Sequence, residues 1–176
     1  MTPTICIYIS DDVEVLDFAI PYEVFTTAAR IHLRVDASSP PIFQVATIGS
    51  SLDTVRARAG LKLDSDFTIH THPKLDCLIA PGGVITTEPP RPQVISWLTQ
   101  QMQQVDMAAS VCTGAFLLAK TRCLNGLEVI TNWKDIPDSR AAFPMVLVRE
   151  EDCWTDIGSI VKNAGISAGI DEPASS

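Results

Sequence analysis

The chain has 176 residues, 46% of them hydrophobic, and a formal net charge of −8 at pH 7. This length predicts one domain over residues 1–176 with a substantial core. Lys and Arg are scattered over an acidic surface, which argues against nucleic-acid binding by this domain. No apolar run approaches the roughly 18 residues that span a bilayer and no signal peptide precedes the first strand, so we expect a cytoplasmic protein without membrane contact.

Strand-like and helix-like segments alternate through the first part of the chain. Residues 4–9 are short, apolar and β-rich, which predicts a buried strand. Residues 17–30 suit a helix that packs on a sheet, with Pro21 in its first turn. Residues 42–48 predict a second strand, and residues 60–67 a small hairpin or extended excursion.

The second part continues the alternation. A third buried strand at residues 75–80 is followed by Pro81-Gly82-Gly83, a proline-rich loop at 86–92 and an amphipathic helix at 93–105. Further short strands are predicted at 129–131, 145–149 and 159–161, with a helix at 134–142. Several strands are apolar on both faces, which predicts an α/β three-layer sandwich with a mostly parallel sheet and helices on both faces.

One cysteine has a position typical of a nucleophile. Residues 107–111 predict a strand and residues 113–120 a helix, with only Cys112 between them. Such an elbow holds its residue in a strained conformation at the edge of the sheet, and the small Gly114 and Ala115 let the helix approach closely. The N-terminal N–H groups of the helix favour the thiolate form of Cys112 and can receive a developing anion.

The alternative for Cys112 is a buried core thiol, since free cysteines are often buried. Its place beyond the carboxyl end of a strand, where α/β sheets bind ligands, favours a functional role. The other four cysteines are interpreted as structural: Cys6, Cys77, Cys123 and Cys153. The total number of cysteines is odd and no pair has Cys-x-x-Cys spacing, which excludes a disulfide framework or a zinc site and indicates a reducing compartment.

Two other features lie at predicted carboxyl-end loops. Gly82 and Gly83 allow close backbone approach to a ligand and offer a second oxyanion donor, although a plain turn uses the same residues. Asp17 is either a helix N-cap or an acid–base group. None of the three histidines falls at such a loop, so no Cys–His pair is evident.

Several motifs together resemble the ThiJ/PfpI superfamily of glutamine-amidotransferase-like proteins. Their order and spacing match over nearly the whole chain: Val15-Leu16-Asp17, Pro21-Tyr22-Glu23-Val24-Phe25, Pro81-Gly82-Gly83, Ser110-Val111-Cys112-Thr113-Gly114-Ala115, Asn132-Trp133 and residues 164–171. The resemblance implies a flavodoxin-like sheet with a nucleophile elbow. The branch with Cys-Thr-Gly and a first-helix Asp is similar to isonitrile hydratases and to the sensor domains of AraC-type transcription regulators.

The resemblance to isonitrile hydratases implies a lyase mechanism without metal or organic cofactor. The Cys112 thiolate would attack the isonitrile carbon, Asp17 would shuttle protons, and Thr113 would hydrogen-bond the intermediate. Thr113 stands where the peptidase-like branch carries a His, which argues against a protease. Four further residues are expected to bind the substrate or its oxyanion: Gly82, Gly83, Gly114 and Asn132.

Two departures from the family pattern affect this expectation. Asn132 replaces the His of the usual Thr-His-Trp, and an amide cannot act as a general base. The family continues after Asp171 into a long apolar helix, whereas this chain stops at Ser176, so we expect the C-terminal helix to be missing. The apolar composition and the family resemblance both predict a homodimer.

Three functions therefore remain open. The first is hydration of a small substrate by Cys112 and Asp17, as in isonitrile hydratases. The second is a non-catalytic domain that senses a small nitrogenous molecule, related to AraC-type regulators. The third is a redox or stress-responsive protein with an oxidisable Cys112, because an elbow cysteine of low pKa is prone to sulfenic and sulfinic acid formation.

Overall fold

The computed structural model describes residues 2–84, 91–126 and 144–147 in full and the backbone of residues 128–129, 148, 154–156 and 160–163. Its helices are α1 (Val15–Val35), α2 (Pro92–Met102) and α3 (Gly114–Ala119). Its strands are β1 (Thr4–Tyr8), β2 (Gln44–Gly49), β3 (Val55–Arg56), β4 (Lys62–Leu63), β5 (Phe67–Thr68), β6 (Cys77–Ala80), β7 (Met107–Val111), β8 (Glu128–Val129), β9 (Leu147–Val148), β10 (Trp154–Asp156) and β11 (Ile160–Asn163).

Seven strands form one sheet in the order β10-β11-β7-β6-β1-β2-β5. All neighbours pair in parallel except β10 and β11, which are antiparallel. Because β1, β6 and β7 are parallel neighbours, their carboxyl ends meet at one edge of the sheet, with Ala80 in register with Ser110. The predicted mostly parallel α/β fold is confirmed, and this edge is where such sheets bind ligands.

Helices cover both faces of the sheet. On one face, Phe18 of α1 packs with buried residues of β1 such as Ile5 and Ile7. On the other face, Leu98 of α2 and Leu118 of α3 pack with a second cluster. The alternating side chains of parallel strands thus enter two separate cores, which gives the predicted three layers.

Helix α1 differs from the sequence prediction at both ends. It begins at Val15 and runs to Val35, so Pro21 lies inside the helix rather than in its first turn. The missing N–H of Pro21 leaves the carbonyl of Asp17 without its usual helical partner. The early start has a tertiary cause, because Glu14, the N-cap, donates its backbone N–H to Gly82 O at 2.9 Å. Asp17 is therefore the third helical residue and not the N-cap.

The remaining differences concern short elements. The excursion predicted at 60–67 is a β3–β4 hairpin that starts earlier, and β5 joins the main sheet beside β2. Strands β8 and β9 pair with each other in parallel, and β10 was not predicted. The helix predicted at 134–142 and residues 164–176, where the family's C-terminal helix was expected to be missing, lie outside the described residues. No helix in the described ranges is long and apolar enough to cross a membrane.

Candidate functional site

Cys112 adopts the strained conformation that the sequence predicts for an elbow. It follows the last residue of β7 with φ of 52°, and α3 begins two residues later. A left-handed conformation is uncommon for any residue other than glycine and costs of the order of 1–3 kcal/mol, so the surrounding packing must hold it. The side chain is 6% exposed. The elbow geometry is therefore present, with the thiol close to the carboxyl edge of the sheet.

Gly114 is the residue that lets α3 approach the sheet. A Cβ at this position would overlap the carbonyl oxygen of Ala80 and would lie 2.8 Å from its carbonyl carbon. These are backbone atoms at the end of β6, so they cannot rotate away as a flexible side chain could. This contact shows why a small residue is needed for the helix to approach the sheet closely, as the sequence predicts. A role of Gly114 in substrate binding stays a prediction.

Asp17 is a completely buried carboxyl group at the same edge. One oxygen, Oδ2, accepts the backbone N–H of Gly82 at 3.1 Å, and Oδ1 has no hydrogen-bond partner among the described residues. Burial is the largest influence on the pKa of Asp17 and raises it. The hydrogen bond from the Gly82 N–H lowers this pKa, the nearby charge of Glu14 raises it, and a hydrogen bond with Cys112 lowers it, so that the resulting pKa is about 6. The structure thus brings Asp17 and Cys112 together, and Asp17 exchanges its proton near neutral pH.

Thr113 is engaged by the loop that follows β6. Its Oγ1 donates to Gly83 O at 3.0 Å and accepts the Gly83 N–H at 2.9 Å. Because Gly82 donates to Asp17, both N–H groups that the sequence suggested as oxyanion donors already have partners. An anion would have to displace Asp17 or Thr113 to reach them, which the sequence alone did not reveal.

The glycines of this loop are required by close contacts. A Cβ on Gly82 would lie 2.5 Å from Asp17 Oδ2 and 2.7 Å from Thr113 Oγ1. A Cβ on Gly83 would lie 2.5 Å from the carbonyl oxygen of Asp12. The backbones of the two loops are joined as well, since Val84 donates to Asp12 O at 3.2 Å. The loops after β1 and β6 are therefore tied together beside the carboxyl group of Asp17.

A cavity of about 240 Å³ lies beside this loop. Gly82 and Gly83 line it, together with Tyr8 of β1 and residues that follow β1 and β2, but Cys112 and Asp17 do not. Sequence reasoning did not single out these lining residues, although Asp11 and Asp12 closely follow the strand predicted at residues 4–9. Their place at a carboxyl-end loop was the signal that could have identified them.

One predicted site residue, Asn132, and the cysteines that were interpreted as structural remain to be placed. Asn132 and Cys153 lie outside the described residues. Cys6 and Cys77 lie in strands as predicted, and burial raises the pKa of their thiols to about 12 and about 11. In the described part of the chain, no group of three His, Cys, Asp or Glu side chains is arranged to hold a metal ion.

Thiol labelling tests the special position of Cys112. At pH 7.5 we expect iodoacetamide or mild peroxide to modify Cys112 at least about tenfold faster than Cys6 or Cys77. Burial raises the pKa of the Cys6 and Cys77 thiols, and each unit of increase lowers their thiolate fraction about tenfold. Peptide mass spectrometry measures the rates, and Cys112→Ala removes the fast site as a control. Modification of Cys112 no faster than that of Cys77 would contradict both the elbow assignment and the redox hypothesis.

Comparison with known proteins agrees with these features. The family described as the DJ-1/PfpI family matches residues 3–156. The HTH-type transcriptional regulator GbdR of Pseudomonas aeruginosa is 29% identical over 119 residues, which cover 68% of this chain and 31% of the regulator. The chain thus matches about a third of the length of that relative.

Two solved structures share the fold. A ThiJ/PfpI family protein from Pseudomonas syringae superposes with a TM-score of 0.81 at 22% identity, covering 97% of this chain and 66% of the other. An AraC family transcriptional regulator from Pseudomonas putida gives a TM-score of 0.75 at 16% identity, covering 96% of this chain and 87% of the other. With the family match over 154 residues, counted from 3 to 156, the chain belongs to the DJ-1/PfpI family.

Proposed function

We propose that the chain is a ligand-sensing domain of the type found in AraC-type transcription regulators, with its ligand site around Cys112 and Asp17. The observation that carries this proposal is the 29% identity to an HTH-type transcriptional regulator over 119 residues. The fold shared with an AraC family regulator supports it. Binding and signalling, rather than turnover, are also consistent with Asn132 in place of the family His.

The site offers a chemical reason for recognising a nitrogenous ligand. Asp17 Oδ1 is buried and has no hydrogen-bond partner among the described residues. An unsatisfied buried acceptor costs about 1–3 kcal/mol, which a ligand N–H group recovers by donating to it. A carboxyl group with a pKa of about 6 is also charged or neutral according to its surroundings. Binding of a protonated nitrogen would favour the charged form.

A thermal-shift screen tests this proposal. Small amines, amides and amidines are added to the full chain, and we expect at least one to raise the melting temperature by several degrees. The rise should shrink in Asp17→Asn, which removes the acceptor charge, and persist in Asp106→Asn, an exposed carboxylate before β7. The proposal fails if no compound stabilises the protein, or if the hits stabilise Asp17→Asn as strongly as the wild type.

A second candidate function is hydration of an isonitrile, favoured by the hydrogen bond between Cys112 and Asp17. The thiol would add across the isonitrile carbon, its sulfur bonding to carbon while its proton ends on the same carbon. Water would then attack this thioimidate, and cleavage of the carbon–sulfur bond would release the N-substituted formamide and the free thiol. Asp17 would carry the protons in both steps, which its pKa of about 6 permits.

Formamide production separates the two candidates. The sensing proposal predicts that a simple alkyl isonitrile gives no formamide above the rate of Cys112→Ala, as followed by proton NMR. Turnover by the wild type that disappears in Cys112→Ala and falls by about 100-fold or more in Asp17→Asn would instead establish hydration. Asp106→Asn is again the control, because it lies away from the carboxyl edge.

A further inference from the structure

We propose that the cavity beside Gly82 and Gly83 is a second binding site, distinct from the Cys112 site, for a small organic cation that carries hydroxyl groups. The cavity has a volume of about 240 Å³ and lies beyond the carboxyl ends of β1, β2 and β6. Pockets for drug-sized ligands begin at about 300 Å³, so this one suits a ligand of only a few heavy atoms.

The inner wall of the cavity provides an unused hydroxyl group. Tyr8 is 5% exposed and lines the cavity, yet its Oη makes no hydrogen bond to any described residue. Its ring is fixed against Trp97, with ring centroids 5.8 Å apart. The hydroxyl of a buried tyrosine normally has a partner, and because no described residue accepts or donates a hydrogen bond to it, a ligand in the cavity would supply one.

The charge of the cavity selects a cation. Three lining carboxylates, Asp11, Asp12 and Asp53, face one lining guanidinium, Arg91, which makes no ion pair with a described residue. Asp11 Oδ1 accepts a hydrogen bond from the Arg56 N–H at 2.8 Å, and Asp53 Oδ2 accepts one from the Ser51 hydroxyl at 2.8 Å. The second oxygen of each carboxylate makes no hydrogen bond to a described residue. An ammonium group would form charge-assisted hydrogen bonds with these free oxygens.

Neighbouring groups explain the preference for hydroxyls on the ligand. Burial raises the pKa of Tyr8 to about 12, Arg91 lowers it and Asp11 raises it, so the phenol is neutral and lies within reach of both charges. Ligand hydroxyls can accept from Arg91 and exchange hydrogen bonds with Tyr8 and Ser10, another lining residue. A bare metal ion is not favoured, because the carboxylates do not form a group of metal-ligand geometry within the described residues.

This proposal goes beyond the function assigned to Cys112 and does not depend on it. Cys112 and Asp17 do not line the cavity, although Gly82 and Gly83, which do line it, donate hydrogen bonds to Asp17 and Thr113. Because Gly82 and Gly83 contact Asp17 and Thr113 and also line the cavity, the loop provides a physical path by which occupancy of the cavity would reach the Cys112 site.

Three probes with the same carbon skeleton and different charge test the cavity: 2-amino-1,3-propanediol, glycerol and glycerate. In calorimetric titrations of the full chain at low salt, we expect the amine to bind at least about tenfold more tightly than glycerol, and glycerate not to bind. Tyr8→Phe, which keeps the ring on Trp97, should weaken amine binding severalfold. Asp12→Asn should weaken it about tenfold, and Asn tolerates the left-handed φ of 59° at this position.

A matched control keeps the test specific. Asp106→Asn removes the same charge away from the cavity and should leave amine binding unchanged. Absence of saturable amine binding, equal binding of amine and glycerol, or full binding by both Tyr8→Phe and Asp12→Asn would overturn the proposal.

Discussion

Replacing Gly114 with alanine is expected to lower the free energy of unfolding by about 3 kcal/mol or more. The new Cβ would overlap the carbonyl oxygen of Ala80 and approach Pro81 C to 3.0 Å. Overpacking costs about 1–3 kcal/mol where side chains can adjust, and here the obstacle is the backbone of β6, so the cost falls at or above the upper end. Urea unfolding followed by tryptophan fluorescence measures the loss.

Gly60→Ala is the matched control for this prediction. A Cβ on Gly60 meets nothing within 4 Å, and the only cost is its φ of +86°, which is about 1–2 kcal/mol for a residue with a side chain. We therefore expect Gly114→Ala to be clearly the more destabilising of the two. Equal losses would show that α3 does not lie as close to the end of β6 as the contacts require.

Replacing Asp17 with asparagine is expected to remove a large pH dependence of stability. Burial raises the pKa of Asp17 from 3.8 to about 6 in the folded protein, so the folded state binds its proton more tightly than the unfolded state. The stabilisation from this proton is complete below pH 4 and is lost as the pH rises through 6. This rise in the pKa of Asp17 corresponds to about 3 kcal/mol of the free energy of unfolding.

The measurement compares unfolding free energies of wild type and Asp17→Asn from pH 4 to pH 8. Relative to the variant, the wild type should lose about 3 kcal/mol over this range. Asp36 and Asp76, whose pKa values hydrogen bonds lower, contribute the opposite slope but are present in both proteins. A constant difference between the two proteins would show that Asp17 titrates normally and is not buried beside Cys112.

The central elements of the fold were predictable because their hydrophobic patterns are local and strong. The strand at residues 107–111 and the elbow at Cys112 follow from an apolar run that ends directly at small residues. The start of α1 was not predictable, because it depends on a bond from Glu14 to Gly82, 68 positions further along the chain. Edge strands such as β5 and β10 have two or three residues and are defined by pairing rather than by pattern.

The candidate site shows the same division. Cys112 could be found from its place between strand and helix, whereas Asp17 was singled out by family resemblance. The structure places the Asp17 carboxyl group beside the thiol, and its chemical role stays a prediction. That the N–H groups of Gly82 and Gly83 are already engaged depends on rotamers of Asp17 and Thr113 that no sequence pattern encodes. Tyr8 lies in the strand predicted at residues 4–9, and the hydrophobic pattern that predicts this strand does not show that Tyr8 lines a cavity.

The most direct test of the shared Asp17–Cys112 site is a carbon-13 NMR titration of the Asp17 carboxyl group in wild type and Cys112→Ala. We predict a midpoint near pH 6 in the wild type and a higher midpoint in the variant, because the hydrogen bond with Cys112 lowers the pKa of Asp17. A midpoint near 3.8 in both proteins would mean that the carboxyl group is hydrated and does not contact the thiol, which contradicts the proposed site.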